Sequence, residues 1–185
     1  MKNINLQDYW RMTKNRGLRL PINYFVENHL FDIIHKTDTH RWLPKNNYDQ
    51  SIENLDRGVL YMASWTSIIN LSTKIAVEYL VKDNAEFDMV DIGSGKGKTL
   101  LVWANSSNIP KNTSLFGIEY NKELIRISLD NLSKTSLLNK PNIINGDVTN
   151  LDISSFKDKI LFYLYNPFDA VILRNFLKNI ISKKV

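Results

Sequence analysis

The sequence predicts an α/β protein built on a parallel sheet with helices on both faces. Short apolar runs at 87–92, 114–119, 142–145 and 159–165 alternate with segments of helical periodicity. Alternation at this spacing makes successive βαβ units. A glycine-rich turn, GSGKG at 93–97, falls directly between the first apolar run and the helix after it. Ligands of open α/β sheets sit beyond the carboxyl ends of the strands, so the turn marks where a site is expected.

Each element has its own basis. Ile68, Leu71, Ile75 and Tyr79 recur at helical spacing and predict an amphipathic helix over 64–82 with these residues inward. The strand 87–92 (FDMVDI) runs into the glycines. Residues 99–105 read as a helix with Leu100, Trp103 and Ala104 on one face. A second buried strand, SLFGIE, covers 114–119. The helix expected over 122–133 turns Ile125, Leu129 and Leu132 inward. A third strand follows at 142–145. The fourth, KILFYLY at 159–165, is nearly all apolar. A last helix over 170–182 buries Leu173, Phe176, Leu177 and Ile180. The first sixty residues are less regular, and no internal repeat or low-complexity segment is present.

Composition narrows the class. A chain of 185 residues, 43% hydrophobic and 23% charged, suits one globular domain with a short extension. It has no cysteine, which excludes disulfides and thiolate metal sites. His29, His35 and His40 lack partners at metal-ligand spacing and read as structural or surface residues, so no metal is expected. No apolar run approaches the roughly 20 residues that span a bilayer. The opening MKNINLQDYWRM carries no signal-peptide core. A cytoplasmic location without membrane contact is therefore expected. A net charge of +5 with scattered lysines fits solubility better than an acidic partner.

The turn ends Gly-Lys-Thr like a phosphate loop, and register tests that likeness. A loop of the form G-x-x-x-x-G-K-[ST] that ends on Gly97-Lys98-Thr99 needs glycine at 92, which is Ile92. Ending it on Gly95-Lys96 needs glycine at 90, which is Val90. The dinucleotide pattern G-x-G-x-x-G, begun at Gly93 and Gly95, meets Lys98 where its third glycine belongs. What stands between strand and helix is Asp91-x-Gly93-x-Gly95-x-Gly97.

DIGSGKG at 91–97 resembles the first motif of the class I S-adenosylmethionine-dependent methyltransferases, whose sheet is Rossmann-like. The likeness extends over about 60–182, because three further features follow in the family's order. Glu119 ends the second strand, Gly146-Asp147 follows the third, and Asn166-Pro167-Phe168 follows the fourth. The YNPF ending resembles that of an uncharacterised bacterial group. By this resemblance Asp91, Gly93, Ser94, Gly95 and Gly97 hold the methionine end of S-adenosylmethionine. Glu119 takes the ribose hydroxyls and Asp147 the adenine amine, with Tyr120 and Val148 beside them. Asn166, Pro167 and Phe168 become the catalytic candidates: the amide oxygen aims a substrate nitrogen, proline stiffens the turn and the ring stacks on the substrate. Residues 57–67 resemble a segment that closes over the cofactor, which adds Tyr61 and Ser64.

Physical chemistry supports these roles and also offers plainer ones. Glycines let backbone approach a ligand closely, and an ionised carboxylate accepts paired hydroxyls in charge-assisted bonds. Equally, the glycines could serve only the turn, Glu119 could be a solvated strand-end acid, and Asp147 a turn former. Asn166-Pro167 could simply start the last helix. Lys96 and Lys98 read as solvated, with either able to add positive charge near the cofactor carboxylate.

The expected organisation is an extension over 1–58, acting as a lid or substrate-selecting segment, and a cofactor-binding domain over 59–185. The family's sheet has seven strands, so this chain is expected to lack the last of them. Its open sheet edge would invite a second copy or a partner. The expected activity is methyl transfer to nitrogen or oxygen of a protein or small molecule. The base-methylating pattern usually carries two prolines, and this chain has one, so a nucleic-acid acceptor is open but not favoured. A non-catalytic binding module with the same fold is the alternative.

Overall fold

The computed structural model describes residues 6–43, 57–82 and 86–183. Its centre is a four-stranded parallel sheet: β1 (Phe87–Ile92), β2 (Ser114–Glu119), β3 (Asn142–Asn145) and β4 (Lys159–Leu164). The strand order is β3-β2-β1-β4. β1 pairs with β2 and β4 in register, with Val90 opposite both Phe116 and Phe162. The chain thus steps outward from β1 to β3 and returns to the other side of β1 for β4. That reversal opens a crevice beyond the carboxyl ends of β1 and β4, as doubly wound sheets do at a switch point.

Central position explains burial. Every residue of β1 is buried, as expected of a parallel strand covered on both faces. Among the described residues β4 pairs with β1 alone, and all six of its residues are half-buried.

Strand alternation separates two apolar layers. Phe87, Met89, Leu115 and Leu161 face α4 (Thr66–Val81) and α5 (Lys98–Ala104). Val90, Ile92, Ile118 and Phe162 face the segment 148–156 and α7 (Ala170–Lys183). The sheet therefore carries helices on both faces. α6 (Lys122–Ser133) starts at Asn121, whose side chain accepts the N–H groups of Glu123 and Leu124, a standard N-cap.

Helix positions match the sequence reading, but three helix faces do not. In α4 the buried stripe is Ile69, Thr73 and Val77, while Ile68, Leu71, Ile75 and Tyr79 are exposed. Thr73 is tolerated inside because its hydroxyl accepts the Trp103 indole N–H at 2.8 Å. In α6 Leu124, Ile127 and Leu132 are buried, whereas Leu129 is exposed and Ile125 half-buried. In α7 Ile172 and Phe176 face the core, Ile180 is partly buried, and Leu173 and Leu177 are exposed. α5 has no outer face, since all seven of its residues are buried.

The N-terminal residues form a helical layer. α1 (Leu6–Arg16) precedes α2 (Arg19–Tyr24), which passes through a π-helical turn at Phe25–Leu30 into α3 (Phe31–His35). The Asp32 carboxylate then organises the exit. It accepts the Thr37 hydroxyl at 2.7 Å, the Thr39 hydroxyl at 2.8 Å and the backbone N–H groups of Thr39 and His40. It also binds His40 Nδ1.

Lys96 and Lys98 join this layer to the glycine turn. They are 0% and 3% exposed, not solvated. Lys96 Nζ donates to the Arg41 carbonyl at 2.7 Å and to Asp38 Oδ2 at 3.2 Å. Lys98 Nζ donates to the Glu27 carbonyl and to Asn28 Oδ1, and lies 5.0 Å from the Phe31 ring centre. Burial lowers both lysine pKa values, that of Lys98 to about 8.

Residues 57–65 form a strap that returns from this layer to α4. Its start is fastened to the segment after β4: Gly58 bridges antiparallel to Phe168, and Val59 donates its N–H to the Pro167 carbonyl at 3.1 Å. Arg57 adds an ion pair with Asp169 at 2.9 Å. Among the described residues no helix is long and apolar enough to cross a membrane.

Candidate active site

The crevice at the switch point holds a cavity of ≈ 100 Å³ between the strand ends and the strap. Its floor is the turn after β1. Gly93 and Ser94 both donate their N–H groups to the Ile118 carbonyl, at 2.9 and 3.0 Å, which fixes the turn against β2. Two of the glycines are required by close approach. Gly93 has φ 71°, and a Cβ there would stand 2.4 Å from the Pro167 Cβ. Gly95 has φ 53°, and a Cβ there would stand 2.3 Å from the Tyr61 ring. The turn is thus pressed between the β4 loop and the strap, in a left-handed backbone that suits glycine.

Glu119 closes the β2 side. Its Oε2 accepts the Gly95 N–H and its Oε1 the Asn121 N–H, each at 2.9 Å. It is buried yet lines the cavity. Burial raises its pKa, and the backbone N–H groups of Asn121, Gly95 and Tyr120 oppose that rise. Asp147 and Val148 line the wall beyond β3, with Tyr120 beside Glu119. Asp147 Oδ1 accepts the Thr149 N–H and hydroxyl, each at 2.8 Å, so this acid also caps a short 3-10 turn.

The opposite wall is the turn after β4, where Asn166, Pro167 and Phe168 all border the cavity. Asn166 is exposed and has φ 49°, a left-handed conformation that asparagine tolerates better than most residues. Tyr61 forms part of the strap wall, and its hydroxyl donates to the Thr39 carbonyl.

Four residues expected at the cofactor lie outside the cavity lining: Asp91, Ser94, Gly97 and Ser64. Ser94 tucks against β2, where a Cβ on Gly117 would meet its hydroxyl at 2.8 Å. Gly97 sits where α5 meets α6, and a Cβ there would stand 2.2 Å from Ser128 Oγ. Ser64, near the end of the strap, is buried. Asp91 is 4% exposed; burial pushes its pKa up to about 7, the Thr99 hydroxyl opposes the rise and the Glu119 charge adds to it.

Of the apolar lining, the sequence reading named Val148, Pro167 and Phe168 but not the aliphatic residues around them. Ile92 and Ile118 end or nearly end their strands, Leu124 opens α6 and Ile172 opens α7, and all four border the cavity beside Leu60 and Met62 of the strap. A strand-end position next to a chemically active residue is the signal that marks the two isoleucines. Among the described residues no group of three or more His, Asp or Glu side chains could hold a metal ion.

The parallel sheet and its switch-point crevice define a Rossmann-like α/β architecture, with Glu119, Asp147 and Asn166 after its strand ends. Over 76 residues the chain is 32% identical to a protein-lysine N-methyltransferase of Saccharolobus islandicus. That stretch covers 41% of this chain and 45% of the relative, so under half of the relative's length is matched. No family model matches. Among solved structures, an SAH-bound methyltransferase of Podospora anserina aligns with a TM-score of 0.45 and 15% identity, over 83% of this chain and 62% of the other. A plantazolicin methyltransferase solved with a pentazolic analogue and SAH aligns with a TM-score of 0.42 and 25% identity, over 60% and 42%.

Proposed function

We propose that the protein is an S-adenosylmethionine-dependent methyltransferase acting on a protein nitrogen. The observation that carries this reading is the Glu119 carboxylate held against the Gly95 N–H, at the mouth of the switch-point crevice and across from Asn166. Glu119 has lone pairs beyond those its backbone donors use, so a pair of ribose hydroxyls fits it. Gly93 and Gly95 leave the turn without side chains where a methionine tail would lie. Among the described residues Asp147 Oδ2 has no hydrogen-bond partner, and it suits an adenine amine.

Methyl transfer from a sulfonium is an in-line displacement, and the chain's contribution is position and exclusion of water. Asn166 offers an amide oxygen that accepts hydrogen from the attacking nitrogen and turns its lone pair toward the methyl group. Phe168 and Pro167 shape the wall that holds it. Asp91, buried behind the turn, supports the Thr99 end of α5 rather than touching the ligand. Similarity to a protein-lysine N-methyltransferase favours a lysine amine as acceptor. Incubation with methyl-labelled S-adenosylmethionine and a lysine-rich protein tests the reading. Label in Nε-methyl-lysine is the expected result, and label nowhere above the Asn166→Ala background would refute it.

A further inference from the structure

A second cavity, of ≈ 740 Å³, adjoins the first along the strap, and Leu60, Tyr61, Met62 and Tyr165 border both. Its other walls come from the N-terminal layer and the end of the strap. Tyr24, Trp42 and Trp65 present aromatic surface, Asp8 a carboxylate and His40 an imidazole. We propose that this second cavity is the methyl-acceptor site, that it takes the side chain of a protein lysine, and that His40 receives the proton the lysine must shed. The proposal rests on reading the neighbouring crevice as the donor site.

Three observations carry it. The first is position. Tyr165 lines both cavities and immediately precedes Asn166, so a side chain lying in the second cavity reaches the wall where the methyl group would be presented. The second is chemistry. Indole and phenol faces attract an alkylammonium through the ring quadrupole, and Met12 and Met62 offer apolar contact for its stem. Arg41, the one arginine or lysine among the described residues of this wall, is directed to Asp38 at 3.8 Å.

The third is the Asp32–His40 pair. Asp32 binds His40 Nδ1 and is itself fixed by the hydroxyls of Thr37 and Thr39. That leaves Nε2 as the ring nitrogen for a ligand, an arrangement in which the carboxylate sets the tautomer and orientation of a base. Charged and titratable neighbours of His40 are Asp32, Arg41 and His29, whose ring centre is 4.1 Å away, with Asp8 and Tyr24 in the same wall.

A protonated lysine has no lone pair and cannot attack. In the proposed step its ammonium passes one proton to His40 Nε2. The freed nitrogen lone pair then bonds to the methyl carbon while the carbon–sulfur bond breaks. That bond's electron pair stays on sulfur, which turns the sulfonium donor into a neutral thioether. The methylated amine leaves as a secondary ammonium, and the His40 proton passes to water.

The test uses the full chain and acetylated, amidated peptides carrying lysine or arginine, with a single-stranded oligonucleotide as a third acceptor. Calorimetry with S-adenosylhomocysteine alone comes first. No binding there sinks the donor-site reading, and this proposal with it, before any acceptor is added. With binding established, the lysine peptide is expected to be the substrate. Trp42→Ala should raise its KM about tenfold, and His40→Gln should lower kcat roughly 10²-fold, with homocysteine-ligand affinity retained in both. If His40→Gln fails to fold, Trp42→Ala and Trp65→Ala carry the test. Unchanged kinetics in the tryptophan variants, or transfer to arginine or the oligonucleotide in place of lysine, would overturn the proposal.

Discussion

Glu119 Oε2 accepts the Gly95 N–H at 2.9 Å, so the acid that ends β2 is tied directly to the turn that ends β1. Its Oε1 does the same for Asn121. Removing the carboxylate leaves two buried donors unmet, at about 1–3 kcal/mol each, while relieving the cost of a buried acid. Glu119→Ala is therefore expected to lose about 2 kcal/mol of stability, and Glu119→Gln less, because its amide oxygen can keep one bond. Urea unfolding of the three proteins decides this; equal losses in the two variants would contradict it.

Gly95 and Tyr61 share one volume. A Cβ at Gly95 would stand 2.3 Å from Tyr61 Cε2, and φ is 53°. Gly95→Ala should destabilise by more than about 1 kcal/mol through strain and overlap together. In a Tyr61→Ala background the overlap is gone and only the strain remains. A double-mutant cycle should then return a coupling of about 1 kcal/mol. A coupling near zero would mean the contact has no energetic weight.

Asp91 makes stability depend on pH with a defined sign. Burial pushes its folded pKa up to about 7 from the ordinary value of 3.8. Between those values the folded chain holds a proton that the unfolded chain has released. Its stabilising contribution is therefore complete below about pH 4 and is lost as pH rises to about 7, at up to roughly 1.4 kcal/mol per pH unit. Asp91→Asn should flatten that fall. Unfolding midpoints at pH 5, 6 and 7 for both proteins measure it, and parallel curves would refute the assignment.

The lysines of the glycine turn hold the N-terminal layer. Lys98→Met removes the donor that satisfies the Glu27 carbonyl and Asn28 Oδ1. Hydrogen exchange of residues 19–35 should accelerate in this variant, while that of β1 and β2 stays slow. Uniform acceleration across the sheet would show that the lysine supports the whole fold instead.

What was legible in the sequence follows from the kind of signal each element carries. The bounds of β1, β2 and β3 were readable because each strand is a short apolar run ended by glycine, asparagine or acid. The inward face of α4 was not. That helix has apolar residues on two sides, and its buried stripe includes Thr73, acceptable inside only because Trp103 donates to it. Lys96 and Lys98 were misread for a related reason. Lysine is solvated by default, and the carbonyls and carboxylate that bury these two belong to the irregular first sixty residues. Of the site expected by resemblance, Glu119, Asp147 and Asn166 meet at one cavity, while Asp91, Ser94, Gly97 and Ser64 lie outside its lining. Its apolar lining and the second cavity depend on how the strap and the N-terminal helices pack, which no periodicity encodes.

The central claim is that the crevice between β1 and β4 binds an adenosyl ligand through Glu119. Titration calorimetry of the wild type and Glu119→Gln with S-adenosylhomocysteine, and separately with ATP and Mg²⁺, tests it most directly. Saturable binding of S-adenosylhomocysteine by the wild type, weakened about tenfold or more in the variant, with no heat from ATP, is the predicted result. Binding of ATP alone, or S-adenosylhomocysteine binding that Glu119→Gln leaves unchanged, would contradict it.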